Sequence, residues 1–480
     1  MTSDTLSASA GELRRNALGV PQIVFFVIAA AAPLTAVVGV TPAAFMLGNG
    51  PGVPGTFLLV GVLYLLFSAG FTAMSGFVGN AGGFYSYIVA GLGPSVGVAG
   101  ALIALVTYTA VDVAVYGLFG FFVNNMVISA GGPAIAWWIY VIGLSVAVYV
   151  CGVRSIEFSG RLLGYCMLAE ITILLLLGLA VLMTADPARP IALAPFGVEA
   201  IVTPGLGLAL VFVVSAFIGF EATAIFGEEA REPKRTIPRA TYIAVSVIAV
   251  FYAFTTWTIS LYYGPDHIHD QAATHTATLY LDAVKALLGR PAGLVMDLLL
   301  VASLFACALS FHNTINRYLF AVGREGLMWR RLCETHPQHQ SPLLAGAVQT
   351  ASALGIVAIF ALAGSDAYTV VFAWMGTLGA LGILALQILV SLAVIAFFWR
   401  DSRGVGLWRR VLAPGLSALG LGVSLALMSA HLEAVSGSNS RFVQSFPEIL
   451  LAVGLAGIAF AVWLKVRKPG IYAALGRAPG

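Results

Sequence analysis

The chain has 480 residues, of which 60% are hydrophobic and only 9% charged. A soluble domain carries about 25% charged residues, so the composition excludes an ordinary globular protein and points to a polytopic membrane protein. The formal net charge of +3 says little about partners, among which no nucleic acid is expected, and the information lies in where the charges fall.

Met1–Gly19 is polar, carries Arg14 and Arg15, and lacks the apolar run of a signal peptide; it reads as a cytoplasmic tail. Beyond it, a run of roughly 17–25 apolar residues suffices to cross a bilayer. The expected fold is all-α and polytopic, with twelve transmembrane helices near 20–47, 54–78, 95–127, 134–153, 162–184, 204–228, 239–263, 292–320, 342–363, 368–398, 412–431 and 447–465. With the N-terminus inside, twenty of the 24 Lys and Arg residues fall on inner segments, and only Arg189, Lys285, Arg290 and Arg441 on outer ones. That asymmetry follows the positive-inside rule. It places both termini, the 466–480 tail included, in the cytoplasm of a cell with this protein in its inner (plasma) membrane. The 53 glycines suit close helix packing in lipid. Cys151, Cys166, Cys307 and Cys333 show no metal-ligand spacing and read as reduced structural thiols.

The first span is interrupted. Val20–Ala32 runs continuously, Pro33-Leu34-Thr35 breaks it, and Ala36–Leu47 resumes. Pro33 has no amide hydrogen and obstructs the turn before it. The sixth span, within Leu206–Ala240, holds Gly219 and Glu221 at its middle. A carboxylate at membrane depth costs roughly 2.5–3.5 kcal/mol on insertion scales, so Glu221 needs a reason to be there. The span leaves the lipid through Glu228, Glu229, Arg231, Glu232, Lys234, Arg235 and Arg239, around Pro233 and Pro238. Taken singly, Pro33 reads as a kink and Gly219 as packing. Interrupted helices at matching positions in two halves, however, mark the midplane site of transporters built from inverted repeats. The offset of five spans is odd, so the halves run in opposite directions: residues 20–184 form one repeat, 204–398 the other, and 412–465 two additional C-terminal helices.

Other polar residues lie at depth. Asp112 in the third span is flanked by Tyr108 and Tyr116, one helical turn to either side. Glu170 sits in the fifth; Ser303, Ser310, His312, Asn313 and Arg317 in the eighth; Tyr368, Trp374, Thr377 and Gln387 in the tenth. The outer stretch Gly264–Arg290 is polar enough to form a short surface helix, and its His267, His269, Asp270 and His275 read as a solvated cluster, not a metal site. No P-loop, zinc-protease helix or nucleophile elbow appears, so neither enzyme chemistry nor a cofactor is implied.

Gly219-Phe220-Glu221 followed by Gly227-Glu228-Glu229, Pro233, Arg235, Ile237 and Pro238 resembles the amino acid–polyamine–organocation transporters. So do Ala81-Gly82-Gly83 with Tyr85 and Tyr87, and Asn313, Arg317-Tyr318 and Gly323-Arg324-Glu325-Gly326. The likeness runs along essentially the whole chain. It implies a five-plus-five inverted repeat with broken helices 1 and 6, two further helices, and transport of amino acids or related amines. The chain departs from the pattern at Ala32-Pro33-Leu34-Thr35, where many relatives have a glycine-rich break, at Asn80, and at Met328-Trp329.

A zwitterion leaving water needs partners for both charges. The break at Ala32, Pro33, Leu34, Thr35 and Ala36 is the candidate substrate site: free backbone N–H groups at the start of Ala36–Leu47, with the Thr35 hydroxyl, can meet a carboxylate at a helix N-terminus. Carbonyls at the ends of Val20–Ala32 and Gly205–Ile218 are candidates for the ammonium. Phe217 and Phe220 would cover the substrate or pack as core, and Gly219 would leave room for its backbone. Glu221 has three readings: contact with a cationic substrate, a coupling proton, or a brace for the break, the last favoured by the resemblance. The resemblance also puts Glu170 where proton-coupled relatives hold a titrating lysine; the alternative is a hydrogen-bonded packing carboxylate. Asp112 carries the same two readings. The function expected is proton-coupled transport of an amino acid. A polyamine or amine carrier, an exchanger, and a channel or transport-derived sensor stand as alternatives.

Overall fold

The computed structural model describes residues 18–78, 83–154, 156–184, 192–221, 223, 230–339 and 341–476. Arg14, Arg15, Asn80-Ala81-Gly82, Arg189, Gly227-Glu228-Glu229 and Arg477 lie outside them. Regular structure among the described residues is helical, apart from isolated bridges joining Leu18 to Ala230 and Thr335 to Pro342.

Helices α1 (Val20–Ala31) and α2 (Pro33–Leu47) share the first apolar run; α3 (Val53–Ser75), α4 (Phe84–Leu92), α5 (Pro94–Ser129), α6 (Trp137–Arg154) and α7 (Ile156–Thr184) follow. Next come α8 (Leu206–Ser215), α9 (Pro233–Tyr263), α10 (Ile268–Thr274), α11 (Leu279–Leu288), α12 (Arg290–Arg324) and α13 (Leu343–Leu362). The chain ends with α14 (Ala367–Arg400), α15 (Trp408–Ala430), α16 (Phe446–Arg467) and α17 (Pro469–Ala474). Ten helices among the described residues are long and apolar enough to cross a membrane. The shorter apolar helices α2 and α8 stand where the sequence places the interrupted first and sixth spans. An all-α polytopic fold is therefore what this composition yields.

Three details differ from the sequence reading. The first break is a single residue, Ala32, in the left-handed region at φ 43°. Pro33-Leu34-Thr35 is already helical and continues into a wider π turn over Ala36–Val40. Proline explains both facts: its fixed φ suits the first position of a helix, and its ring pushes the preceding residue out of the right-handed helical region. In the sixth span the helix ends earlier than Gly219, at Ser215, and the chain runs through turns to Gly219. Finally, α9 starts at Pro233, six residues before the expected 239, because that proline occupies the first helical turn; Lys234, Arg235 and Arg239 are thus helical. The outer polar stretch forms two surface helices, α10 and α11.

The long α5 is the spine: α12, α14 and α16 all pack along it. On the other side of the molecule α9 runs along α3 and touches α1, while α7 contacts α1, α2 and α12. Close approach explains glycines such as Gly382 on α14, where a Cβ would overlap Thr107 of α5. This arrangement encloses both helix breaks among α5, α7, α9, α12 and α14.

Candidate functional site

The break at Ala32 leaves polar backbone exposed to the protein interior, and every such group needs a partner. Tyr252 of α9 donates its hydroxyl to the Ala31 carbonyl, 3.2 Å away. The Ala36 N–H reaches back to the Ala32 carbonyl at 2.9 Å. The N-terminus of α2 is capped from α7 and α12: the Leu34 N–H donates to Glu170 Oε2 at 3.1 Å. Ser303 Oγ donates to the same oxygen at 2.8 Å and accepts from the Thr35 hydroxyl at 3.1 Å and the Thr35 N–H at 3.4 Å. Glu170 is 1% exposed. A buried carboxylate at the positive end of a helix, held by two donors, is electrostatically well placed. Of the groups expected to be free for a ligand, the Ala36 N–H is thus engaged by the Ala32 carbonyl and the Thr35 hydroxyl by Ser303.

The second break carries its acid differently. Gly219 adopts φ 113°, which an L side chain rarely does, and its N–H donates to Glu221 Oε2 at 3.0 Å. The other carboxylate oxygen of Glu221 accepts from the Tyr108 hydroxyl of α5 at 3.1 Å. Glu221 therefore closes its own break and ties it to the third span. Phe217 and Phe220 are fully buried. Phe217 stacks on Tyr64 and meets Phe57 and Tyr252; Phe220 packs edge-on against Tyr64 and Phe67. This aromatic cluster locks the non-helical segment to α3 and α9.

Between the breaks lies a cavity of about 100 Å³. Of the residues singled out in the sequence, Thr35, Ala36 and Ile218 line it. Ala31, Val40, Ser215 and Ala216 complete the contribution of the broken helices. The remaining wall comes from Val111, Ala114, Val115 and Leu118 of α5, Cys307 and Phe311 of α12, and Phe372 and Gly376 of α14. Phe311, Phe372 and Gly376 were not singled out in the sequence, where a phenylalanine or glycine in an apolar helix looks like packing. A larger space of about 310 Å³ adjoins the cavity, lined by the far ends of α2, α8, α14 and α15; Val40, Ser215, Phe372 and Gly376 belong to both.

Away from that space, hydrogen bonds among the described residues tie helix ends together. The Arg231 N–H donates to the Leu18 carbonyl at 2.7 Å, joining the start of the chain to the exit of the sixth span. The Phe84 N–H at the start of α4 donates to the Tyr318 hydroxyl of α12 at 2.9 Å. Just past α12, Glu325 accepts from the Tyr85 hydroxyl and, at 3.0 Å, from the Gly476 N–H beyond α17. Tyr472 of α17 meets Ser95 at 3.0 Å. Burial pushes the Glu325 carboxyl above the ordinary glutamate value, against the opposing pull of the Tyr85 and Gly476 hydrogen bonds and the Arg324 charge.

Asp112 lies away from both breaks' hydrogen bonds. It is fully buried, and one of its oxygens accepts from Gln349 Nε2 of α13 at 3.0 Å, while Gln349 Oε1 takes a bond from Thr109 at 3.3 Å. That link joins α5 to α13 directly behind the cavity wall.

A family model described as amino acid permease matches residues 22–468. Among curated proteins the chain is 28% identical over 202 residues to an uncharacterized transporter of Mycobacterium tuberculosis, covering 38% of this chain and 44% of that one. It is 27% identical over 255 residues to human cationic amino acid transporter 4, covering 52% and 37% respectively. It is 24% identical over 360 residues to the low-affinity putrescine importer of Escherichia coli, covering 72% and 73%. The chain thus spans less than half the length of the first two relatives.

Proposed function

The chain belongs to the amino acid permease family, and we propose that this multi-pass membrane transporter carries an amino acid or a related small amine by alternating access, driven by protons. The observation that carries the reading is the cavity between two broken helices, adjoined by a wide space on one side, with hydrogen bonds tying helix ends together away from it. Such a site exchanges access when one repeat rocks against the other. In this reading the twelve spans divide into repeats at 20–184 and 204–398 with two helices at 412–465, and the arginine-rich face is cytoplasmic in the inner membrane. The relatives' names, a cationic amino acid transporter and a putrescine importer, support amino acids and amines as the substrate range.

Glu170 is the group we assign to proton coupling. It links three helices through Leu34, Ser303 and its own α7, so loss of its charge alters how firmly the α2 N-terminus is held. Glu221 and Asp112 brace the structure around it. The test is uptake of labelled amino acids and amines by proteoliposomes with and without an inward pH gradient. Accumulation that follows the gradient supports symport. Accumulation that ignores it and is matched by efflux of internal substrate replaces symport with exchange, and a continuous conductance without saturation would favour a channel. Glu170→Gln retains an acceptor for Leu34 and Ser303 but cannot titrate, so it should lose gradient-driven accumulation while keeping counterflow.

A further inference from the structure

Among the described residues no acidic or basic side chain lines the central cavity; its polar side chains are Thr35, Ser215 and Cys307. The Thr35 hydroxyl is committed to Ser303, and the Ser215 hydroxyl donates to the Val211 carbonyl at 2.8 Å. The three membrane-depth acids stand outside its lining: Glu170 holds Leu34 and Ser303 through one oxygen, Glu221 holds Gly219 and Tyr108, and Asp112 holds Gln349 through one oxygen while its Oδ1 is buried without a partner. What remains for a charged ligand is backbone at the helix breaks, where carbonyl ends of α1 and α8 favour a cation. The rest of the wall is aliphatic or aromatic. A charge at the far end of a ligand would therefore be buried without a partner, which is strongly unfavourable. The volume is equally restrictive: about 100 Å³ is smaller than the engineered cavity of about 150 Å³ that admits benzene.

Resting on the transport reading above, we propose that the site selects a substrate with one ammonium on a short aliphatic body and no charge at its distal end, and that Leu118, Phe372 and Gly376 set the size limit. Alanine and a short monoamine such as propylamine share this chemistry. Leucine is too large; lysine and putrescine carry a second ammonium that the wall cannot meet. The selectivity is thus narrower than the names of the relatives suggest. Gly376 offers the sharpest handle. A Cβ there would stand 3.9 Å from both the Ala114 Cβ and the Phe372 ring, ordinary contact distances. A methyl at this position therefore fills ligand space without displacing protein.

The experiment is counterflow by the full-length protein in proteoliposomes, with labelled alanine and labelled propylamine as separate probes and unlabelled leucine, lysine and putrescine as competitors. Uptake of alanine, of propylamine, or of both is expected, and which one is taken tells whether a carboxylate accompanies the ammonium. Leucine, lysine and putrescine should compete at least tenfold more weakly. Gly376→Ala should weaken uptake at least tenfold with an unchanged thermal unfolding midpoint, and Leu118→Ala should let leucine compete. Wild-type uptake inhibited by lysine, putrescine or leucine as well as by alanine overturns the size and charge limit but leaves transport standing. Full activity of Gly376→Ala also overturns it. Saturable transport of none of the five compounds overturns the transport reading and this inference together.

Discussion

Tyr252 shows what one hydroxyl does at a broken helix. Its oxygen is the observed partner of the Ala31 carbonyl, while its ring fills the cluster with Phe57 and Phe217. Tyr252→Phe keeps the ring and orphans the carbonyl; hydrogen bonds inside membrane proteins are worth about 0.6 kcal/mol on average and up to about 1.7. A small drop in the detergent unfolding midpoint, with the aromatic packing intact, is the expected result. Glu221 is the opposite case, since its function as acceptor does not need a full charge. Glu221→Gln keeps an oxygen for Gly219 and an amide for Tyr108, so near-native stability is expected; Glu221→Ala strands both donors and should cost about 1–3 kcal/mol, read in the same unfolding assay. Gly219 was legible in the sequence as a small residue beside an acid. Its actual demand is its φ of 113°, a backbone property that no composition reveals.

At the level of elements, the break in the first span is made by Pro33 and carried by the backbone of Ala32. A left-handed alanine costs roughly 1–2 kcal/mol, and glycine would remove that strain while adding some freedom to the unfolded chain. Ala32→Gly should therefore raise the unfolding midpoint slightly, whereas Ala32→Val should lower it because branching at Cβ worsens the clash. The sequence made both interruptions visible because proline and an intramembrane acid contradict the surrounding apolar pattern. Most span boundaries were legible to within a few residues from the apolar runs, but the end of the helix in the sixth span and the starts of α7 and α9 were not. Nor were the partners. Leu34 and Glu170 are 136 residues apart, and Asp112 and Gln349 are 237 apart. No local pattern links such residues; only the folded packing of α5, α7, α12 and α13 does. Phe372 and Gly376 were hidden for a different reason, being ordinary members of an apolar helix until a cavity is found beside them.

For the molecule as a whole, the C-terminal segment acts as a strap across the tied helix ends. Leu475 is buried, and the Gly476 N–H and the Tyr85 hydroxyl converge on Glu325. Burial in the folded protein raises the carboxyl above its ordinary value of 4.5, against the downward pull of the Tyr85 and Gly476 hydrogen bonds, so the folded state binds the proton more tightly than the unfolded one. The contribution of Glu325 to folding stability is then greatest below that ordinary value and falls as pH rises through the raised one. The thermal unfolding midpoint should fall as pH rises across that window, and Glu325→Gln should flatten the dependence. Arg324 works against the shift, so Arg324→Gln should move the window upward.

The two sides of the cavity differ in what must move to open them. Toward the wide space Phe372 is one of the residues shared by both compartments, and rotation of its side chain is a nanosecond event where neighbours permit it. On the other side, in the proposed transport cycle, the bonds of Leu18 to Arg231, Phe84 to Tyr318 and Gly476 to Glu325 part together with whole helices, a motion of microseconds to milliseconds. Loading and unloading at the cavity would then recur many times before each passage across the membrane. Under that separation of rates the measured KM reports equilibrium affinity. Substitutions in the cavity wall should appear in KM, and substitutions in the strap should appear in kcat.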